Sequence, residues 1–153
     1  MSNIIKLIEY EEGWRSRPYL CSEGYPSVGF GFKIGPKNAS ITAYQFALPI
    51  AAGRQWMDSV LDTLTNEMMQ YKEVSDAIDV CNDARRAVLI SMAYQMGVQG
   101  LTTFKRTLRA TANEDWPEVS MEMMKSRWAR QTPSRALRHS QQMQSGIWFA
   151  GYA

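Results

Sequence analysis

The stretch Ile4-Ile5-Lys6-Leu7-Ile8-Glu9-Tyr10-Glu11-Glu12-Gly13, followed by Tyr19-Leu20-Cys21-Ser22-Glu23-Gly24-Tyr25-Pro26-Ser27-Val28-Gly29-Phe30-Gly31-Phe32, decides how this chain folds. In its first part Ile4, Ile5, Leu7 and Ile8 form one apolar stripe of a helix, behind a cap at Ser2 or Asn3. Gly13 is a natural helix stop. From Tyr19 to Phe32 the pattern turns to short strands joined at Ser22-Glu23-Gly24. Gly29 and Gly31 there permit close backbone approach.

Working outward, Gly35-Pro36-Lys37-Asn38 reads as a loop. A helical stretch opens near Thr42 and runs toward Leu64, and Pro49 inside it is expected to kink or split it. Asn82 or Asp83 caps Ala84–Met96, a segment apolar on most sides and hence the expected buried central helix. Gly97 and Gly100 close it. Shorter helices are expected around Thr103–Thr111, Pro117–Trp128, Ser134–Gln141 and Ser145–Phe149. There is no internal repeat and no low-complexity segment. The expected class is α+β and mostly helical, with a small β-hairpin lobe beside a larger helical one. One domain is expected over 1–153. Its β-containing lobe covers roughly 14–41 and a connecting helical segment roughly 42–64. The helical lobe covers roughly 65–153 and takes in the N-terminal helix.

A chain of 153 residues, 45% hydrophobic and 21% charged, suits a compact water-soluble domain with a real core. No apolar run approaches the length of a membrane span, so stable membrane insertion is not expected. The acids Glu9, Glu11 and Glu12 break the only early apolar stretch, so no signal-peptide layout is seen. Cys21 and Cys81 make no disulfide framework, and with a single His they give no metal-ligand spacing. The net charge of +2 is uneven. Between Lys105 and Arg138 there are eight Lys and Arg against four Asp and Glu, so that segment is +4 and the remainder −2. This reads either as solvated helix faces or as attraction to a polyanion, nucleic acid or an anionic cell envelope. No recognition-helix or zinc signature accompanies it, so no nucleic-acid partner is expected.

Glu12 is the foremost candidate for chemistry. A general acid working near neutral pH needs a carboxyl group that keeps its proton, and the partial negative charge at a helix C-terminus favours that. Taken alone, Glu12 reads equally as one of three solvated surface acids. Three blocks of sequence supply more. The first is Glu12-Gly13 with Glu23-Gly24-Tyr25 and Gly29-Phe30-Gly31. The second is Arg85-Arg86 with Leu89-Ile90-Ser91-Met92 and Gln95-Met96-Gly97. The third is Lys125-Ser126-Arg127-Trp128 with Gln131-Thr132-Pro133, Arg135-Ala136 and Gly146-Ile147-Trp148. In order and separation these blocks resemble the bacteriophage T4-type lysozymes, endolysins that cleave bacterial peptidoglycan.

The resemblance implies a lysozyme-like two-lobed fold and assigns roles position by position. Glu12 matches the general acid. Ser27 stands where the family has a Thr whose hydroxyl helps hold the attacking water. Arg135 matches the Arg that pairs with the catalytic Glu. Gly31, Tyr94, Gln95 and Thr107 match substrate-contacting positions of the cleft, with Tyr for Phe at 94 and Thr for Ser at 107. Trp128 matches a buried Trp behind the cleft. Four departures accompany these matches. Cys21 replaces the second catalytic carboxylate, an Asp. Phe32 replaces a His, the connection from Gly31 to Thr42 is shorter, and Lys33 and Glu122 differ in type at cleft positions. A thiol at 21 could act as base, orient the water, stabilise positive charge as thiolate, or attack the sugar; otherwise it is a bystander.

The implied activity is that of a muramidase, acting on the β-1,4 bond between N-acetylmuramic acid and N-acetylglucosamine for lysis of a bacterial host. No metal or cofactor is implied. The implied partners are peptidoglycan and a separate membrane pore protein, a holin, that releases a monomeric enzyme from the host cytoplasm to the cell wall. The rival reading is a catalytically silent domain that binds peptidoglycan or a partner protein.

Overall fold

The computed structural model describes residues 2–153 and divides into two compact units, one through Val60 and the other from Leu61 to Ala153. The first opens with helix α1 (Asn3–Glu12), which buries Ile5, Leu7 and Ile8 and stops at Gly13. A three-stranded antiparallel sheet follows, with β1 (Arg15–Leu20), β2 (Pro26–Gly29) and β3 (Phe32–Lys33) in sequential order. Tyr19 lies opposite Ser27 and Leu20 opposite Pro26, while an irregularity between Arg15 and Tyr19 shifts the register. On the other side of β2, Val28 faces Phe32. The strands are short, and aromatic packing steadies them. Trp14 lies 4.6 Å from Phe30, and Phe32 stacks on Trp56 at 4.4 Å between ring centroids.

Trp56 belongs to α2 (Ile50–Met68). That helix starts later than the sequence suggests. Ile41–Ala43 make one 3-10 turn, residues 44–49 are not helical, and Pro49 sits just ahead of α2. Its carbonyl accepts from Gly53 N–H at 3.0 Å. Proline is tolerated at such an entry because no N–H is needed there. The apolar Phe46-Ala47-Leu48 reads as helix in a local window, yet Leu48 N–H donates to the Ser16 carbonyl at 2.7 Å. This long-range bond draws the Leu48 N–H out of any local helix. Within the same unit Arg54 Nε donates to Glu9 Oε1 at 2.8 Å, tying α2 to α1.

The second unit holds α3 (Lys72–Asp79), α4 (Asp83–Thr102), α5 (Lys105–Ala112), α6 (Trp116–Lys125), α7 (Arg127–Gln131) and α8 (Pro133–Ser145). The buried central helix is α4, in which Ala84 and every residue from Ala87 to Ala93 are buried. Asn82 caps it, accepting from Arg85 N–H at 3.0 Å. The stop expected at Gly97 is instead a break within the helix: Gly97 takes φ 80, ψ 158, and Val98 and Leu101 beyond it are buried again. The helix expected over Pro117–Trp128 is two. Ser126 is extended (φ −72, ψ 159) and its hydroxyl caps α7 through Ala129 N–H at 3.1 Å. The segment near Ser145–Phe149 is not helical, and a 3-10 turn follows at Ala150–Tyr152.

Candidate active site

Glu12 is the last residue of α1, immediately before the Gly13 cap. Its carboxylate faces the β2–β3 turn. Oε2 lies 3.5 Å from the point where a Cβ on Gly31 would stand, and Gly31 holds φ +82. The positive φ suits glycine at this position, and a Cβ there would only touch the carboxylate at ordinary contact distance. Gly31 itself is exposed, so the acid borders an open surface.

Cys21 lies just beyond β1 in the turn that leads into β2. Its N–H donates to the Tyr25 carbonyl at 2.9 Å and its carbonyl accepts from Gly24 N–H at 2.9 Å. These bonds fold the main chain around the side chain. Desolvation is the largest single influence on the thiol and pushes its pKa up. The N–H groups of Tyr25 and Glu23 and the Ser27 hydroxyl, as donors that favour the thiolate, together outweigh it and the opposing Glu23 carboxylate, so the thiol pKa is lowered. Ser27 is buried at 1% exposure, and its hydroxyl also reaches the Tyr25 carbonyl at 3.1 Å.

Tyr19 was not singled out by the sequence, although it is two residues before Cys21 on the same strand face and directly opposite Ser27. Burial, first, pushes its phenol pKa up. Arg15, stacked 4.5 Å over the ring, opposes this, and the charges of Cys21 and Glu12 add to it. Its hydroxyl thus lies within electrostatic reach of both candidate catalytic groups. Period-two counting back from Cys21 would have found it.

The remaining expected residues lie in the helical unit. Gln95 Oε1 accepts from Trp128 Nε1 at 2.8 Å, so the candidate contact residue is fixed by the buried Trp. Tyr94 is half-buried beside it on α4. Thr107, on the first turn of α5, is 2% exposed and lines the same cavity as Trp128. Arg135 is buried on α8 and donates through Nη2 to Ser91 Oγ at 2.9 Å and to the Ser91 carbonyl at 3.3 Å. Ser91 Oγ also meets His139 Nε2 at 2.8 Å. Cys81 is buried, its thiol pushed up to about 11 chiefly by desolvation, and neither cysteine is bridged. Among the described residues no cluster of His, Cys, Asp and Glu is arranged to hold a metal ion. No helix of these residues is long and apolar enough to cross a membrane.

In one unit this geometry gathers an acid at a turn, a thiol activated by main-chain donors, and a hydroxyl beside the thiol. The phage lysozyme family matches residues 9–144 of the chain. A probable T4-type lysozyme of Dictyostelium discoideum is 27% identical over 155 residues, covering 90% of this chain and 91% of the relative. The pre-baseplate central spike protein Gp5 of Enterobacteria phage T4 is 24% identical over 89% of this chain, which corresponds to 26% of that longer protein. The peptidoglycan hydrolase gp36 of Pseudomonas phage phiKMV is 30% identical over 82% of this chain and 13% of its own length.

Proposed function

The chain belongs to the phage lysozyme family, and from that premise we propose that it is a muramidase cutting the β-1,4 bond between N-acetylmuramic acid and N-acetylglucosamine. As a glycoside hydrolase of the lysozyme type it has peptidoglycan for its substrate. Its proposed setting is lysis of a bacterial host, with a separate pore protein releasing it from the cytoplasm to the cell wall.

Glu12 protonates the departing glycosidic oxygen. On the other face of the sugar the Cys21 thiolate takes a proton from the attacking water and Ser27 helps to hold that water, which gives inversion. The cycle leaves a Glu12 carboxylate and a Cys21 thiol, and exchange with solvent resets both. Arg135 is a supporting residue. Gly31, Tyr94, Gln95 and Thr107 are substrate contacts, on the strength of the family resemblance. The observation that carries this reading is the set of donors around the Cys21 sulfur, which lowers the thiol pKa and so favours the thiolate at the place of the family's carboxylate.

The test is turbidity loss of purified peptidoglycan. Glu12→Gln keeps the shape but has no proton to give, so clearing should slow by at least about a hundredfold. Clearing at the parent rate by folded Glu12→Gln protein would end this assignment.

A further inference from the structure

The chain has a single histidine, and it lies where no solvent reaches. His139 is wholly buried on α8, one helical turn beyond Arg135, so both side chains leave the same face of that helix. Both reach one atom of α4, the Ser91 hydroxyl oxygen. Arg135 Nη2 stands 2.9 Å from it and His139 Nε2 stands 2.8 Å from it. At the ring's other nitrogen, Nδ1 lies 3.4 Å from the hydroxyl of Tyr152, in the C-terminal 3-10 turn. Trp128, which fixes Gln95, is an aromatic neighbour of the ring at 6.1 Å.

The donors and acceptors on these atoms give the arrangement a direction. A guanidinium has only donors, so Ser91 Oγ accepts from Arg135. Accepting from a cation polarises the hydroxyl and makes its own proton a better donor. His139 Nε2 is the acceptor placed to take that proton. The ring then carries its own proton on Nδ1 and donates toward Tyr152. Three bonds thus run one way: from Arg135 to Ser91, from Ser91 to His139, and from His139 to Tyr152. In a dry interior such a chain strengthens each of its members. An aliphatic residue at 139 would fill the space and remove the acceptor.

We propose that His139 is a positioning residue: as the neutral Nδ1–H tautomer it takes the Ser91 proton and thereby fixes the plane of the Arg135 guanidinium. The consequence for peptidoglycan cleavage rests on the proposed function above, in which Arg135 supports the acid Glu12. The effect falls on the rate of bond breaking and not on substrate binding, because His139 is sealed from solvent and touches no substrate.

The first measurement needs no variant and no substrate. Nitrogen NMR of the whole chain reads the ring of its one histidine without ambiguity. At neutral pH Nδ1 should carry the proton and Nε2 none. The two Nη groups of Arg135 should give separate signals, as from a guanidinium that does not rotate freely. A proton on Nε2, in the other tautomer or in the imidazolium, overturns the proposal. In His139→Leu and Ser91→Ala the Nη signals should merge. His139→Gln keeps an acceptor near the place of Nε2 and should keep them apart. Soluble uncrosslinked peptidoglycan strands supply the kinetic readout. His139→Leu should lower kcat about tenfold at a KM within about twofold of the parent's, and His139→Gln should restore most of the loss. Separate Nη signals in folded His139→Leu, or an unchanged kcat, remove the positioning role. A parent chain with the expected ring and guanidinium signals that cleaves no peptidoglycan removes the muramidase reading and leaves the hydrogen-bonded chain standing.

Discussion

Oε2 of Glu12 lies 3.5 Å from where a side chain on Gly31 would begin, in a turn whose backbone holds φ +82. Gly31→Ala therefore meets one penalty, a left-handed backbone, while its methyl group only comes into van der Waals contact with the acid. The expected destabilisation is roughly 1–3 kcal/mol, seen as a fall in Tm of several degrees for a domain of this size. Wall-clearing activity by the folded variant should fall no further than stability does, because the acid keeps its place. An unchanged melting curve would show that the turn relaxes freely.

Cys21 tests the chemistry. Cys21→Asp places a carboxylate before the same main-chain donors and should keep substantial wall-clearing activity. Cys21→Ala leaves those donors without an acceptor and should lose most of it. Product stereochemistry separates the routes: inversion follows from an activated water, and retention from direct attack by sulfur. Cys21→Ala clearing walls as fast as the parent makes the thiol a bystander.

The pH dependence of alkylation reports the state of the thiol directly. Cys21 has a lowered pKa, so its reaction rate should reach half its plateau at a lower pH than that of a free cysteine labelled alongside. Ser27→Ala removes one bond to the ionised sulfur, which raises the pKa and moves that midpoint to higher pH. A midpoint unmoved in folded Ser27→Ala would remove Ser27 from the set of donors. Cys81, buried and with its thiol at about 11, should stay unlabelled until the protein unfolds. Mass spectrometry should therefore find one modification per native chain.

Arg85 makes a stability prediction in the helical unit. Its Nε and Nη2 donate to the carbonyls of Met143 and Gln144 at 2.7 and 3.1 Å, and its guanidinium stacks 3.7 Å over the Trp116 ring. Arg85→Ala should cost about 2 kcal/mol by leaving carbonyls at the end of α8 without donors. Arg85→Lys should recover only part, since an ammonium lacks the planar fork. Denaturant titration with an unchanged slope distinguishes this from a change in the unfolded chain.

How much of this was legible depended on whether the deciding contact was local. The first helix, the glycine-punctuated hairpin and the all-round apolar α4 follow from periodicity and capping within a few residues. Residues 46–48 misled because a bond from Leu48 to Ser16, thirty-two residues away, takes the N–H that a local helix would use. Ser126 has the composition of a helix interior neighbour, and only its extended backbone makes it a cap. Of the candidate site, Glu12 and Cys21 were singled out through family resemblance, while spacing alone left Glu12 among three similar acids. The lowering of the Cys21 pKa was not legible, since two of the three donors that cause it are main-chain N–H groups that bear no residue signature. Tyr19 could be found by counting back in twos from Cys21, but its burial and the influence of both Cys21 and Glu12 on it emerge only from tertiary packing.

The Cys21 turn has a consequence for how this site can change over generations. Two of the groups that welcome an anion there belong to the peptide backbone of Glu23 and Tyr25, and no single codon change deletes a peptide N–H, except a change to proline. The heritable requirement therefore falls on the shape of the turn, more than on the identity of residue 21. An exchange of one short anionic side chain for another at that position leaves the turn and its main-chain donors standing. What cannot vary so freely is the residue that lets the chain double back, Gly24 at φ +85.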